Sequence, residues 1–337
     1  MGRQIFIHHD GALGDFLLSL PAIEALKLRG DSIYLAGRCD VVDFLKKIGY
    51  ISHGIYAGSR MFLPLFFGGP DRGLEEFLSS FDRVYVFSVT TSSDFAANIR
   101  AFFPNTKFIR TIPPPESPMH VSDFRRRQVF QEPQSIISAC CLTIPTAFRE
   151  EARERLFEWG YDFKRPLVAL HPGSGNRKKC WPLRNFENLI NHLEERYNCF
   201  FVLFSGPAEV GTILQKIVDY VGDRKNTCLR ISGHDLTSVA SLLSLSNSYI
   251  GNDSGITHLA ASVMNGRVIA IFGPTDPCLW GPRANEAVII PSNRACAPCE
   301  TKSRGCRVQD KSEYCNIECL SSITVQRVLE QCEFSSA

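Results

Sequence analysis

The sequence predicts an α/β protein with two doubly wound domains that face each other. Two observations indicate this fold class. Apolar, strand-like runs alternate with helix-like runs along almost the whole chain, and tight-turn motifs follow several of the strand-like runs. Such alternation is typical of parallel sheets with helices on both faces. The 337 residues divide into two series of similar size, which fits two domains.

The first series contains three predicted strands and three predicted helices. The strands are Gln4–His8, Ser32–Ala36 and Arg83–Ser88, and the helices lie near Phe16–Lys27, Asp40–Ile48 and Ser93–Phe102. The proline-rich stretch Thr111–Pro118 is incompatible with regular structure, so we expect a surface loop there.

The second series contains six predicted strands and four predicted helices. The strands are Pro166–His171, Cys199–Ser205, Thr227–Ile231, Ser248–Gly251, Val268–Phe272 and Ala287–Ile290, and the helices are Arg184–Arg196, Glu209–Val221, Leu236–Leu243 and His258–Met264. Between the two series, Glu150–Trp159 is a predicted charged helix, and Lys164-Arg165-Pro166 begins a new strand. We therefore expect one domain over residues 1–160 and a second over 161–337. Ligands of such sheets bind outside the carboxyl ends of the strands.

The composition limits the classes of function. Hydrophobic residues make up 44% and charged residues 21% of the chain, as in a soluble globular protein. The net charge of +2 gives no global case for nucleic-acid binding. No apolar run reaches the roughly 18 residues of a membrane helix. His8, His9 and Asp10 interrupt the apolar segment that a signal peptide needs, so we expect a cytoplasmic protein.

The stretch Gly251–His258 follows an apolar strand and leads into a predicted helix. The first N–H groups of a helix bind anions readily, and Ser254 and Gly255 allow a phosphate to approach the backbone. Asp253 is a candidate helix cap, and His258 adds an imidazole. This combination suits a nucleotide diphosphate better than it suits a structural turn.

Gly11-Ala12-Leu13-Gly14-Asp15 follows the first strand directly. Its glycines allow a tight turn and a close approach of the backbone to a ligand. The motif lacks the G-x-G-x-x-G spacing of a dinucleotide site. Taken alone, Asp15 is better explained as a helix cap, which contributes about 1 kcal/mol to the stability of the helix.

Three further turn motifs follow strands of the second series. His171–Pro182 combines a Gly/Ser turn that includes Ser174 and Gly175 with the cations Arg177, Lys178 and Lys179, although it is not a P-loop. Ser205–Glu209 places the Glu209 carboxylate where it can accept hydrogen bonds from ribose, although a role in the first turn of a helix is equally consistent. Phe272–Pro277, taken alone, shows only turn chemistry.

Arg125, Arg126 and Arg127 form a run of positive charge in a nearly neutral protein. Such a patch suits an anionic acceptor or a membrane surface, whereas a solvated helix face is the simpler explanation for any one of these arginines.

Thirteen cysteines include a C-terminal group, Cys296, Cys299, Cys306, Cys315 and Cys319. Its spacing is compatible with zinc or, less well, with an iron–sulfur cluster, but the five thiols match no standard zinc pattern. We expect reduced thiols, with a structural metal as the alternative.

Taken in order, these motifs resemble glycosyltransferase family 9, the ADP-heptose–lipopolysaccharide heptosyltransferase family. The segments that carry the resemblance are Gly11–Asp15 with Pro21, His171–Ser174 with Lys179 and Trp181-Pro182, Gly206–Glu209, Gly251–His258 with Ala260-Ala261, Phe272–Pro277 with Trp280–Pro282, and Cys296–Cys299. They extend over nearly the whole chain, and six ordered matches at strand ends are far more specific than any single motif.

The resemblance implies a GT-B fold, in which two Rossmann-like domains face each other across a cleft. The first domain would bind the acceptor and the second the nucleotide-sugar donor. A final helix at about residues 321–333 would pack back on the first domain. The implied enzyme is an inverting, metal-independent glycosyltransferase that needs no cofactor. It would move a sugar, heptose from ADP-heptose, to a lipopolysaccharide core or a related lipid-linked or glycan acceptor, with peripheral contact at the cytoplasmic face of the inner membrane.

The resemblance also implies a role for each matching residue. Asp15 corresponds to the catalytic base, and Lys179 to the lysine that offsets negative charge on the leaving diphosphate. The implied donor-binding residues are Ser174, Gly175, Glu209, Asp253, Ser254, Gly255 and His258. Residues for the acceptor are Gly11 and the arginines Arg125, Arg126 and Arg127. No residue is assigned to a metal.

Three other functions are compatible with these motifs. A sugar-nucleotide epimerase or hydrolase with the same fold would consume the donor without an acceptor. A sugar-nucleotide-binding protein without catalysis is a further alternative, although the presence of both Asp15 and Lys179 argues against it. A nicotinamide-dependent dehydrogenase fits least well, because the dinucleotide fingerprint is missing.

Overall fold

The computed structural model divides the chain into two compact units, Met1–Cys140 and Cys141–Ala337. The structure describes residues 2–27, 30–68, 72–89, 93–130, 141–206, 229–232, 235–299, 318–332 and 334.

The first unit is built on a five-stranded parallel sheet with the order β3-β2-β1-β4-β5. Its strands are β1 (Gln4–His9), β2 (Ser32–Gly37), β3 (His53–Tyr56), β4 (Arg83–Ser88) and β5 (Lys107–Arg110). Its helices are α1 (Leu13–Leu17), α2 (Leu20–Lys27), α3 (Cys39–Lys47), α4 (Pro64–Phe67), α5 (Arg72–Ser79), α6 (Asp94–Phe102) and α7 (Val121–Val129), with a 3₁₀ turn at Arg60–Phe62.

The helix predicted at Phe16–Lys27 is divided into α1 and α2. Pro21 explains the division, because proline has no N–H group and its ring clashes with the carbonyl four residues earlier, that of Leu17. The prediction also missed β3 and β5. Each has only four residues and lies at an edge of the sheet, and neither shows the continuous burial of a central strand. The predicted loop at Thr111–Pro118 has no helix or strand.

The second unit contains a six-stranded parallel sheet with the order β11-β10-β9-β6-β7-β8. Its strands are β6 (Leu167–His171), β7 (Phe200–Ser205), β8 (Leu229–Ser232), β9 (Ser248–Asn252), β10 (Arg267–Phe272) and β11 (Ala287–Pro291). Its described helices are α8 (Thr146–Glu158), α9 (Leu183–Tyr197), α10 (Leu236–Leu245), α11 (Gly255–Val263), α12 (Pro277–Trp280), α13 (Glu318–Ser321) and α14 (Val325–Leu329), with a 3₁₀ turn at Arg177–Lys179. The predicted helix Glu209–Val221 lies outside the described residues.

Helix α8 belongs to the second unit, so the boundary lies before this helix rather than after it. The reason is that α8 packs against α10. The Arg155 guanidinium of α8 also donates a hydrogen bond to the Ser238 hydroxyl of α10 at 3.4 Å.

The C-terminal segment is part of the core of the second unit. Leu320, Ile323 and Val328 are fully buried in one apolar cluster with residues of α9, and α14 packs on that helix. The Trp181 indole Nε1 donates to the Ile323 carbonyl at 2.9 Å, so the loop after β6 is fastened to this segment. The contact of the final helix with the first domain stays a prediction.

In each sheet, the order in which strands are added reverses at one strand. β1 has β2 on one side and β4 on the other, and β6 lies between β7 and β9. Ligands of doubly wound sheets bind at the carboxyl ends of the strands beside such a switch point. The topology therefore predicts ligand sites at the loops after β1, β6 and β9. Among the described helices, none has the length and apolar character needed to cross a bilayer.

Candidate active site

Asp15 follows β1 and lies in the first turn of the short helix α1, where Ala12 occupies the N-cap position. Its side chain is 42% exposed, so the carboxylate is accessible to a ligand. Gly11 makes this turn possible. A Cβ atom at that position would come within 2.8 Å of the His9 ring and 3.1 Å of the Asp15 Cβ.

Arg125 on α7 is fully buried and reaches Asp15 from 110 residues away. Its Nη2 lies 3.3 Å from Asp15 Oδ1, and its Nη1 donates to the Asp15 backbone carbonyl. Nε donates to the Thr111 carbonyl at 3.0 Å. Burial lowers the pKa of Arg125, and the charge of Asp15 opposes that shift. The guanidinium therefore holds both the backbone and the carboxylate of the predicted base.

Ser19 and His9 continue this network behind Asp15. The Ser19 hydroxyl donates to the Asp15 carbonyl at 3.1 Å and lies 2.9 Å from Arg125 Nη1. His9 Nδ1 accepts from the Gly11 N–H at 3.2 Å, and its Nε2 lies 3.0 Å from the Ser19 hydroxyl. Because an N–H group can only donate, Nδ1 is the acceptor and the proton of the neutral ring is on Nε2. Burial, then the charges of Arg125 and His8, lower the pKa of His9 to about 3.

The three arginines do not form one exposed basic patch, so that interpretation of the sequence is corrected. Arg125 and Arg126 are buried on α7, and Arg127 is exposed. The reason is the helix geometry, which turns successive side chains about 100° apart and so cannot place three consecutive residues on one face.

In the second unit, Lys179 and Asp253 form an ion pair. Lys179 Nζ lies 2.9 Å from Asp253 Oδ2, with the two side chains 24% and 9% exposed. The Thr275 hydroxyl donates to the same carboxylate oxygen at 2.7 Å. The loops after β6, β9 and β10 therefore meet at one carboxylate.

Ser254, rather than Asp253, is the N-cap of α11. Its hydroxyl accepts from the Thr257 N–H at 3.4 Å and lies 3.1 Å from His171 Nδ1. The Asp253 side chain cannot cap the helix because it is turned toward Lys179 and Thr275. Gly255 begins the helix and is half-buried, whereas His258 is buried within it. The helix N-terminus thus lies next to the ion pair.

Asn252 fixes the loop that carries Lys179. Its fully buried amide accepts from the Trp181 N–H at 2.9 Å and donates to the Pro172 and Gly173 carbonyls at 2.7 and 3.3 Å. Ser174 adds a hydrogen bond from its hydroxyl to the Asp253 carbonyl at 2.8 Å. Asn252 is not among the site residues that the sequence motifs predict. A signal was present, since an amide at the end of a buried strand must find partners.

The structure thus brings the predicted lysine, Lys179, together with four of the predicted donor-site residues, which are Ser174, Asp253, Ser254 and Gly255. His258 is buried in the same helix. Gly175 is exposed in the loop that carries Lys179, and Glu209 lies outside the described residues. In the first unit Gly11, Asp15 and Arg125 are neighbours, and His9 and Ser19 are members of their network that the sequence analysis missed.

The cysteine group is only partly described. Cys296 is exposed and Cys299 half-buried, Cys319 is buried in the core of the second unit, and Cys306 and Cys315 lie outside the described residues. In the described part of the chain, no group of three His, Cys, Asp or Glu side chains could hold a metal ion. Burial raises the pKa of Cys199 and Cys332 to about 12, as expected for reduced core thiols.

Two doubly wound parallel units, with polar loops at the carboxyl ends of their central strands, define a two-domain α/β protein of the GT-B class. Solved structures show the same fold. ADP-heptose LPS heptosyltransferase II of Escherichia coli matches with a TM-score of 0.74 at 18% identity, covering 97% of both chains. A family 9 glycosyltransferase of Veillonella parvula matches with a TM-score of 0.72 at 18% identity, covering 98% of this chain and 95% of that one.

The family model described as "Glycosyltransferase family 9 (heptosyltransferase)" matches residues 106–309, and the chain belongs to this family. The lipooligosaccharide heptosyltransferase 2 of Haemophilus ducreyi is 29% identical over 131 residues, and the match covers 37% of each protein. The protein of the same name from Campylobacter jejuni is 22% identical over 349 residues, covering 97% of each. The predicted family and GT-B fold class are confirmed.

Proposed function

We propose that this protein is an inverting, metal-independent glycosyltransferase that transfers heptose from ADP-heptose to a lipopolysaccharide core or related glycan acceptor. Membership of glycosyltransferase family 9 supports the reaction class. The observation that carries the proposal is the Lys179–Asp253 pair next to the N-terminus of α11, at the carboxyl edge of the second sheet. An ammonium group and a helix N-terminus together suit a diphosphate.

The donor's diphosphate would leave against Lys179 and the first turn of α11. An ammonium group has three donors, so the contact with Asp253 leaves capacity for phosphate oxygens. The helix N-terminus adds roughly half a positive charge. Together these groups would offset the charge that grows on the leaving diphosphate. Ser174, Gly175, Ser254 and Gly255 would complete the phosphate site, His258 would support it from within α11, and Glu209 would contact the ribose.

Asp253 would contact hydroxyls of the sugar. One of its oxygens already accepts from Lys179 and Thr275, which fixes the orientation of the carboxylate. A carboxylate held in this way can accept a further hydrogen bond without reorganising.

Asp15 would remove the proton from the acceptor hydroxyl as that oxygen attacks the anomeric carbon and the bond to the diphosphate breaks. Arg125 holds the carboxylate from its buried side and leaves it accessible on the other. A positioned base accelerates such a step by about 10²–10⁴-fold. Gly11 and the exposed Arg127 are the remaining candidates for direct acceptor contact. The acceptor would be lipid-linked or glycan, and the protein would act in the cytoplasm, at the inner face of the inner membrane.

The test is transfer of heptose from ADP-heptose to a core acceptor by wild-type protein and by Asp15→Asn. We expect the variant to lose about 10²-fold or more in kcat, while its affinity for the donor stays unchanged. Asp10→Asn, which changes an exposed carboxylate of the same loop, is the matched control and keeps wild-type kcat. Both reactions run in excess EDTA, where wild-type activity should persist.

Substantial transfer by Asp15→Asn would remove Asp15 from the role of base. Strict dependence on added Mg²⁺ would contradict the metal-independent mechanism. Consumption of the donor at full rate without any acceptor would favour an epimerase or hydrolase, and donor binding without turnover across a broad acceptor panel would favour a non-catalytic binding protein.

A further inference from the structure

The segment between β3 and α5 carries apolar side chains on two opposite sides. Phe62 and Leu65 are buried in the core of the first unit. Four neighbours point outward and are exposed: Met61 (40%), Leu63 (46%), Phe66 (47%) and Phe67 (84%). We refer to these four residues as the apolar tip.

The buried side of the segment fixes the apolar tip in place. The Phe62 ring lies 6.0 Å from Phe6 and 6.1 Å from His8, measured between ring centres. The Leu65 carbonyl accepts from the Asn98 side chain of α6 at 2.8 Å, and Ser59 caps the 3₁₀ turn through the Met61 N–H. The exposed side chains of the apolar tip are therefore carried by a segment that the core of the first unit holds in place.

A helical segment that is apolar on all sides is normally buried in protein or lipid. Here one side is covered by the protein core, and the other faces outward with aromatic and aliphatic groups. Contiguous exposed apolar groups of this kind mark an interaction site, whereas single exposed ones need no explanation.

The charges around the apolar tip indicate what covers it. From Ile51 to Gly68 the sequence contains no Asp or Glu, and Arg60, which is exposed, directly precedes the tip. Asp43 and Asp94 lie at the margins, where Asp43 accepts from the Tyr56 hydroxyl and Asp94 begins α6. Phenylalanine and leucine flanked by a cation fit the boundary between acyl chains and anionic headgroups, because the long arginine side chain reaches phosphate while the apolar groups insert.

We propose that the apolar tip is a membrane-docking surface, in which Met61, Leu63, Phe66 and Phe67 insert into the interface of an anionic bilayer and Arg60 binds its headgroups. The surface lies on the first unit, to which the proposed function assigns the acceptor. This inference rests on that function and deepens it by stating how a lipid-linked acceptor is approached, and its decisive measurement, vesicle binding, uses neither donor nor acceptor.

The experiment measures sedimentation of the full-length protein with vesicles of phosphatidylethanolamine and phosphatidylglycerol. The double variant Phe66→Ser/Phe67→Ser should lose about tenfold or more in partitioning, since the largely exposed Phe67 and the half-exposed Phe66 no longer insert. Arg60→Gln should lose about fivefold with anionic vesicles and little with neutral phosphatidylcholine vesicles.

Phe157→Ser is the matched control, because Phe157 is 72% exposed but lies on α8 of the second unit. It should bind vesicles like the wild type. Arg60→Gln and Phe157→Ser should unfold at the wild-type temperature, whereas the double variant should unfold a little lower, because the Phe66 ring lies 5.0 Å from the Phe95 ring. Transfer to a soluble acceptor fragment should stay within about twofold in every variant, which separates this proposal from the proposed function.

The proposal is overturned if the wild type fails to sediment with anionic vesicles, or if the double variant partitions as the wild type does. Self-association of the wild type that the double variant abolishes, without vesicle binding, would identify a second copy as the occupant instead.

Discussion

The candidate base is held by a cation that has no contact with solvent. Arg125 donates to the Thr111 and Asp15 carbonyls as well as to the Asp15 carboxylate, so one side chain fixes the loop after β5 and the helix after β1 together. A buried guanidinium needs a compensating charge, and among the described contacts the Asp15 carboxylate supplies it. The geometry of Asp15 thus depends on a residue far away in sequence.

Replacing Arg125 by methionine should destabilise the protein by about 2–3 kcal/mol. Two backbone carbonyls and the Ser19 hydroxyl would lose a donor, although Asp15, which is 42% exposed, can be solvated by water. We also expect kcat to fall by about tenfold to a hundredfold, because the carboxylate is no longer oriented. Urea unfolding and steady-state kinetics measure the two effects.

Arg125→Lys should restore part of the stability through its charge but not the forked geometry. Arg127→Met, at the exposed neighbour, is the control and should change the free energy of unfolding by no more than about 0.5 kcal/mol. A fully active Arg125→Met variant would show that Asp15 is positioned without this contact.

The buried imidazole of His9 predicts a pH dependence of stability. Its pKa in the folded protein, about 3, lies below the ordinary value of 6.5, so the unfolded chain binds more protons between these two values. The contribution to stability is therefore complete above pH 6.5 and is lost as the pH falls toward 3. Burial lowers the pKa of His8 as well, and its effect has the same sign.

Because of His9 alone, we expect the free energy of unfolding to be about 2 kcal/mol lower at pH 5 than at pH 7. Urea unfolding at a series of pH values should show this slope in the wild type and a shallower slope in His9→Asn, which cannot take up the proton. An equal slope in His9→Asn would contradict the assignment.

At the scale of elements, the sequence predicts the central strands well and the connections between parts poorly. β1, β6, β7, β9 and β10 are apolar runs followed by turn motifs, and the sequence predicts the ends of each strand to within one residue. The edge strands β3 and β5 carry no such signal. The sequence also placed the motifs at strand ends correctly, because that follows from alternation alone.

The contacts between the loops could not be predicted in the same way. Arg125 reaches Asp15 across 110 positions, and Asn252 bonds to carbonyls 79 and 80 positions away. These pairs depend on the order of the strands in each sheet, which local patterns do not determine. The ion pair of Lys179 with Asp253 has the same origin, since β6 and β9 are neighbours in the sheet but distant in sequence.

The hydrogen bonds of Asn252 attach the loop after β6 to β9, and a substitution at this residue measures their contribution to stability. Asn252→Asp keeps the shape and the acceptor for the Trp181 N–H but removes the donors to the Pro172 and Gly173 carbonyls. It also places a carboxylate at a fully buried position. We expect a loss of about 3 kcal/mol in the free energy of unfolding at pH 7.

Asn176→Asp is the matched control, because its side chain is exposed and only accepts a hydrogen bond, from the Lys178 N–H at 3.0 Å, which Asp can also accept. It should unfold within about 0.5 kcal/mol of the wild type. A loss below about 1 kcal/mol in Asn252→Asp would mean that the loop is held by other contacts, such as the Trp181 indole.

At the scale of the whole molecule, the two units carry different chemical groups at equivalent places in their sheets. The first sheet presents a carboxylate backed by a buried arginine, and the second presents a lysine and a helix N-terminus. The proposed base and the proposed anion site lie on separate units, which matches the separation of acceptor and donor that the proposed function requires. Donor binding and proton transfer should therefore be separable by mutation.

Thermal unfolding with nucleotides tests this separation. ADP at a hundred times its Kd should stabilise the wild type by about 2.7 kcal/mol, whereas UDP, GDP and dTDP at the same concentration should stabilise it less. Asp15→Asn should keep the full ADP effect, because its change lies in the first unit. Lys179→Met should need about 30-fold more ADP for the same shift, since a charge-assisted hydrogen bond to phosphate is lost.

Each variant is compared with its own unfolding temperature without ligand, because Lys179→Met also leaves Asp253 without its cation. Lys178→Met, at the exposed neighbour of Lys179, should respond to ADP like the wild type. An unchanged ADP response in Lys179→Met, or a lost one in Asp15→Asn, would place the diphosphate elsewhere and contradict the division of roles between the two units.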